Sequence, residues 1–135
     1  MRAVIVSEHG GPEVFTVSNV DEPQVTSSTV LVKTSVSGIN FIDTYHRSGL
    51  YPMPLPYHAG VEGVGTVIAV GSDVTGISIG QRVGWFSGGQ GSFDDVVNVQ
   101  VDRTVPIPEN ISDSIAVALL LQGITAHYLA TDSYQ

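Results

Sequence analysis

"GVEGVGTVIAVG", residues 60–71, is the stretch whose reading decides the fold. Close-set glycines among valines invite comparison with a dinucleotide-binding turn. That turn needs G-x-G-x-x-G between a strand and a helix, so that backbone N–H groups and the helix N-terminus meet the phosphates. Here the glycines stand at 60, 63 and 65, and "TVIAV" continues as a β-rich run rather than a helix. The glycines therefore read as structural, suited to bulges and close backbone approach in a twisted sheet. "GGQGS" (88–92) fails the same test.

The flanks extend the β reading. "RAVIVSE" (2–8) is a short strand ended by Gly10-Gly11-Pro12, and "VFTVSNV" (14–20) is a second one stopped at Asp21-Glu22-Pro23. "TVLVKTSVSGIN" (29–40) alternates, with Val30, Val32, Thr34 and Val36 on one face, until Gly38 breaks it. "IGQRVGWF" (79–86) and "SFDDVVNVQVDRTVPIP" (92–108) add further short strands. Short strands with regular turn signals predict a closed or partly open β-barrel.

Between these strands lies "GINFIDTYHRSGLY" (38–51), dense in polar chemistry. Residues 41–49 have helical spacing, with Gly49 as the stop. Such a turn sends Asp43, Arg47 and His46 outward and Ile42 and Tyr45 inward. Asn40, Tyr45 and Tyr51 are the candidate functional groups, set against plain surface and half-buried roles. Pro52, Pro54 and Pro56 then impose an extended loop. At the other end Ser112 is a helix N-cap followed by Asp113, and "IAVALLLQGITAHYLA" (115–130) is apolar nearly all round, so this helix wants cover on more than one side.

Composition excludes several classes. The 135 residues include 42% hydrophobic and 13% charged, enough for one folded domain with a core. The net charge is −8 and the five basic residues are scattered singly, so neither nucleic acid nor an anionic membrane surface is an expected partner. No apolar run approaches about 18 residues, no signal peptide is visible, and the expectation is a cytoplasmic protein. There is no cysteine. His9, His46, His58 and His127 show no metal-binding spacing, so no metal site is expected. Asp94-Asp95 are adjacent on an expected strand and point to opposite faces, which makes them a solvated edge rather than a catalytic pair.

The motifs "HGGPEV", "GINFIDTYHRSGLYP", "GVEGVGTVIAVG", "GQRV", "GSF" and "LLLQGITAHYL", in that order, carry a resemblance. The chain resembles the zinc-free quinone oxidoreductases, the zeta-crystallin-like branch of the medium-chain dehydrogenase/reductase superfamily. The resemblance implies a GroES-like, partly open β-barrel with short helices over residues 1–112, and a C-terminal helix over 113–135. That helix leads toward a Rossmann domain that this stretch does not contain. It also implies hydride transfer from NADPH to a quinone or related conjugated carbonyl. Asn40 and Thr125 would lie near the nicotinamide, Tyr45 and Tyr51 would wall the cleft, and Tyr hydroxyls or the Asn40 amide would steady the oxygen that gains charge. Zinc-dependent relatives place ligands where Asn40, Val61 and Gln122 stand, so the implied chemistry is zinc-independent. Taken alone the 135 residues are expected to be an inactive fragment that binds NADPH negligibly and self-associates, with a homodimer as the expected state. Enoyl or alkenal reduction, or a stand-alone GroES-like interaction module, are the alternatives.

Overall fold

The computed structural model describes residues 1–86 and 91–134, and most of "GGQGS" therefore lies outside the described residues. The strands are β1 (Arg2–Val6), β2 (Phe15–Asn19), β3 (Thr29–Gly38), β4 (Tyr57–His58), β5 (Glu62–Val70), β6 (Arg82–Phe86), β7 (Val96–Gln100) and β8 (Thr104–Pro106). Helix α1 (Phe41–Ser48) follows β3, and α2 (Asp113–Ala118) and α3 (Ile124–Tyr128) belong to the C-terminal helical run. The strands form two open antiparallel sheets, in the orders β2-β1-β4 and β7-β3-β5-β6-β8. Mostly β and open, the fold agrees with the partly open barrel expected from the strand pattern.

The stretch 60–71 is a central strand. β5 pairs with β3 on one side and β6 on the other, which is why it is buried at Glu62–Gly65 and again at Val67. Gly65 shows why a side chain is excluded here: an added Cβ would lie 2.2 Å from the Lys33 carbonyl oxygen. The β3–β5 ladder slips twice, between Leu31 and Val32 and between Thr34 and Val36. The first slip leaves Ile68 extra on β5 and the second leaves Ser35 extra on β3. The strands are then back in step, with Gly38 opposite Glu62.

Three apolar clusters result. Val30, Val32, Val67, Val83, Trp85, Val97 and Val99 form the core of the larger sheet. Val6, Tyr57 and Ala59 hold the smaller sheet. Val64 packs with Ala116, Val117 and Leu120, which fastens α2 to the back of β5. Ser112 caps α2 by accepting the Ile115 N–H at 3.3 Å. Asp113 is fixed by the Ser35 hydroxyl at 2.6 Å and by Arg82 Nε at 2.9 Å, and Arg82 also donates to the Ile111 carbonyl.

The helical run Asp113–Ser133 corrects one expectation. It is 21 residues long and its most apolar 18-residue window has a mean hydropathy of 1.4, long and apolar enough by length and composition to cross a membrane. Counting unbroken apolar residues missed this, because Gln122, Thr125 and His127 interrupt the run without charging it. In this fold the run is broken at Leu120 (φ −67°, ψ −107°), and its first turns are packed on the sheet. Beyond the break the helix is exposed, including Ile124, Tyr128 and Leu129.

Candidate functional site

The site grows from the end of β3. Gly38 closes the strand, and Asn40 (φ −122°, ψ 155°) opens α1 through a capping box with Asp43. The Asn40 N–H donates to Asp43 Oδ2 at 2.8 Å, and the Asn40 side chain faces the Asp43 N–H. Gly49 ends the helix in the left-handed region (φ 80°), its N–H donating to the His46 carbonyl.

The faces of α1 correct the helical-wheel expectation. Asp43 and His46 are buried, while Phe41 stands exposed at the helix start. Asp43 is inside because its carboxylate serves the Asn40 N–H, and His46 because its ring meets Tyr57 edge-on with centroids 6.5 Å apart. Burial pushes the Asp43 carboxyl above its ordinary value, against the lowering pull of its bond from Asn40. The outer side carries a row of rings instead. Phe41 and Tyr45 pack edge to face at 5.2 Å, and Tyr45 and Tyr51 do the same at 5.2 Å. The Tyr51 N–H donates to the Tyr45 carbonyl at 3.2 Å, which holds the start of the proline-rich loop against the helix.

Glu62 joins this wall to the C-terminal run. It has no exposed surface. Its Oε1 accepts the Asn40 Nδ2–H at 2.7 Å, and its Oε2 accepts the Leu121 N–H at 2.9 Å, just past the break at Leu120. Gln122 Nε2 donates to the Ile39 carbonyl at 3.1 Å. The structure thus brings together the segments around Asn40, Val61 and Gln122. Thr125 lies one turn further along the helix, exposed, its hydroxyl donating to the Leu121 carbonyl at 2.6 Å. Among the described residues no group of three or more His, Asp and Glu side chains is disposed to hold a metal ion. The sequence reading missed Glu62 and Gln122. An acidic residue inside a buried, glycine-rich strand was the available signal.

A second polar cluster lies elsewhere, and it corrects the reading of Asp94-Asp95 as a solvated strand edge. Both residues sit in the loop before β7, which folds against Arg2–Val4 of β1, where the short β4 no longer pairs with it. Asp94 is buried, accepts the Val4 N–H at 3.0 Å and pairs with His58 Nδ1. Burial raises its carboxyl. Asp95 is ion-paired with Arg2 at 2.9 Å. A concavity lined by Met1, Val20, His58, Asp94, Val97 and Asn98 opens here and shares no residue with the Asn40 wall. The wall itself is an exposed surface.

Comparison with known proteins bears on this geometry. Residues 26–109 match the family described as the alcohol dehydrogenase GroES-like domain. The chain is 39% identical over 135 residues to quinone oxidoreductase of Pseudomonas aeruginosa, covering 99% of this chain and 42% of that protein. It is 40% identical over 129 residues to quinone oxidoreductase 1 of Escherichia coli, covering 95% of this chain and 39% of that protein. A crystal structure of Escherichia coli quinone oxidoreductase complexed with NADPH superposes with a TM-score of 0.96 at 38% identity, over 100% of this chain and 42% of that one. The chain therefore spans less than half the length of these relatives.

Proposed function

We propose, from the premise that the chain belongs to the alcohol dehydrogenase GroES-like domain family, that it is the substrate-side wall of an NADPH-dependent quinone reductase. The observation that carries this reading is the joining of the Asn40, Glu62 and Leu121–Gln122 segments beside the row of Phe41, Tyr45 and Tyr51. It is a rigid polar corner next to flat aromatic surface, suited to holding a conjugated ring. Relatives named quinone oxidoreductase, and the NADPH complex among them, support the choice of ring and coenzyme.

The residues fit one end of NADPH only. Asn40 and Thr125 flank the junction and offer an amide and a hydroxyl oxygen for a nicotinamide ring. The glycines of 60–65 are committed to sheet packing, so the phosphates need a cradle built from other residues. NADPH, when bound, supplies the hydride. This chain orients the acceptor against the Tyr45–Tyr51 wall, excludes water, and donates from Asn40 or a tyrosine hydroxyl to the oxygen that gains charge. A quinone needs no Lewis acid, because its ring delocalises that charge. Zinc independence is supported by the side chains present: Val61 is apolar, the Asn40 amide is engaged, and both Glu62 oxygens accept N–H donors.

In this reading residues 1–112 are the barrel unit, and the run from 113 leads toward a nucleotide-binding part. The exposed apolar side chains of that run support a homodimer as the state of these 135 residues alone. The test is steady-state reduction of several quinones and enones by the full-length protein that carries this chain. Tyr51→Phe and Asn40→Ala each lower kcat by roughly tenfold or more on quinones if the wall acts as proposed. Wild-type rates in both variants overturn it.

A further inference from the structure

Asn40 is held from three directions. Its backbone N–H goes to Asp43 Oδ2, its side chain faces the Asp43 N–H in the capping box, and its Nδ2–H goes to Glu62 Oε1 at 2.7 Å. Turning the amide over would set its oxygen against the Glu62 carboxylate, a repulsive contact in place of a 2.7 Å hydrogen bond. The amide therefore has one orientation, and its uncommitted group is the second Nδ2–H. Glu62 is itself fixed. Its other oxygen accepts the Leu121 N–H, it has no exposed surface, and it occupies space left by Gly38, where a Cβ would lie 2.1 Å from Oε1.

We infer that Glu62 is a positioning residue: its buried carboxylate locks the Asn40 amide so that the wall presents an N–H donor to a carbonyl oxygen of the acceptor substrate. The inference rests on the reading of this wall as the substrate side of a quinone reductase, and it names the acceptor's oxygen, rather than the coenzyme, as the group Asn40 serves. Glu62 touches neither substrate nor coenzyme and acts only through Asn40. Because the same carboxylate holds Leu121, the orientation of Asn40 is coupled to the seating of the helical run beyond Leu120.

Two measurements decide it. On the 135-residue chain, 15N NMR of the Asn40 side-chain amide is expected to show two distinct protons, one shifted downfield and slow to exchange. In Glu62→Gln this pattern should move toward that of a free amide. A degenerate, fast-exchanging pair in the unaltered chain overturns the inference without any variant, and so does a pattern unchanged by Glu62→Gln. In the full-length protein, Glu62→Gln is expected to lower kcat for quinones about tenfold with the KM for NADPH unchanged. It should cost almost nothing further in an Asn40→Ala background, since residues acting as one unit are not additive. Additive losses, or a loss confined to the KM for NADPH, overturn it. If the unaltered full-length protein reduces no quinone, the reading of the wall fails, and the NMR result still decides whether Glu62 sets the Asn40 amide.

Discussion

Gly38 and Glu62 face each other across the β3–β5 ladder, and the carboxylate of Glu62 fills the volume that a side chain on Gly38 would need. Gly38→Ala would bring Cβ within 2.1 Å of Oε1 and 2.6 Å of Cδ. The clash is with a group fastened at both oxygens, so it cannot simply swing away. We expect a destabilisation of about 1–3 kcal/mol in urea unfolding, the usual range for overpacking, together with loss of the protected Asn40 amide.

Trp85 offers a second stability test. Its indole N–H donates to Ser92 Oγ at 3.0 Å, and both residues are buried. Ser92→Ala leaves that N–H without a partner away from water, which costs about 1–3 kcal/mol. The chain has a single tryptophan, so fluorescence-monitored unfolding reads this site directly. A midpoint unchanged from the unaltered protein contradicts the assignment.

The pH dependence of stability should carry the mark of Asp113. The Ser35 hydroxyl, and then Arg82, hold its carboxyl below the ordinary value of 3.8. A depressed carboxyl contributes stability that is present above its unfolded value and lost as pH falls through the folded one. Asp113→Asn should therefore lower Tm by roughly 3–5 °C near pH 6, with the gap to the unaltered protein closing below the ordinary carboxylate range. Asp43 and Asp94, raised by burial, act with the opposite sign: what they contribute is lost as pH rises from 3.8 through their raised values. Thermal melts from pH 3 to pH 7 test both signs.

Tyr45 should separate packing from chemistry. Its ring meets both Phe41 and Tyr51, whereas its hydroxyl is free for a ligand among the described contacts. Tyr45→Phe should leave the melt within about 0.5 kcal/mol, while Tyr45→Ala should lose about 1–2 kcal/mol of ring packing. Differential scanning calorimetry of the pair provides the check.

Self-association should map to the exposed face of the C-terminal run. Ile115 and Leu119 are 56% and 57% exposed. Leu119→Glu breaks the apolar surface without touching the buried Ala116, Val117 and Leu120. In sedimentation velocity it should shift a concentration-dependent dimer toward monomer, with the dimer constant weakened about tenfold or more.

Much of this was legible in the chain. The glycine spacing at 60–71 separated a strand from a phosphate turn, and Gly49 marked the end of α1, because glycine conformations are local. The faces of α1 were not legible. Polarity assigned Asp43 and His46 to solvent, but Asp43 is drawn in by the capping box with Asn40, and the partner of His46, Tyr57, is supplied by the fold. Asp94 was missed for the same reason. It looks like a surface charge until the stretch of β1 beyond the β4 pairing brings the Val4 N–H to it. Glu62 stood out only as a misfit in a buried strand, and nothing in sequence spacing connects residue 62 to residues 40 and 121.

The paired irregularities of the β3–β5 ladder have a genetic consequence. Ser35 and Ile68 are supernumerary residues on facing strands, and each cancels the offset introduced by the other. Deleting either one alone would remove only its own bulge: with Ser35 gone the ladder runs straight from Thr34–Gly65 to Val36–Val64, and Gly38 stays opposite Glu62. Deleting both would leave a shorter, bulge-free ladder still in register at residues 38 and 62, one that lacks the hydroxyl now given to Asp113.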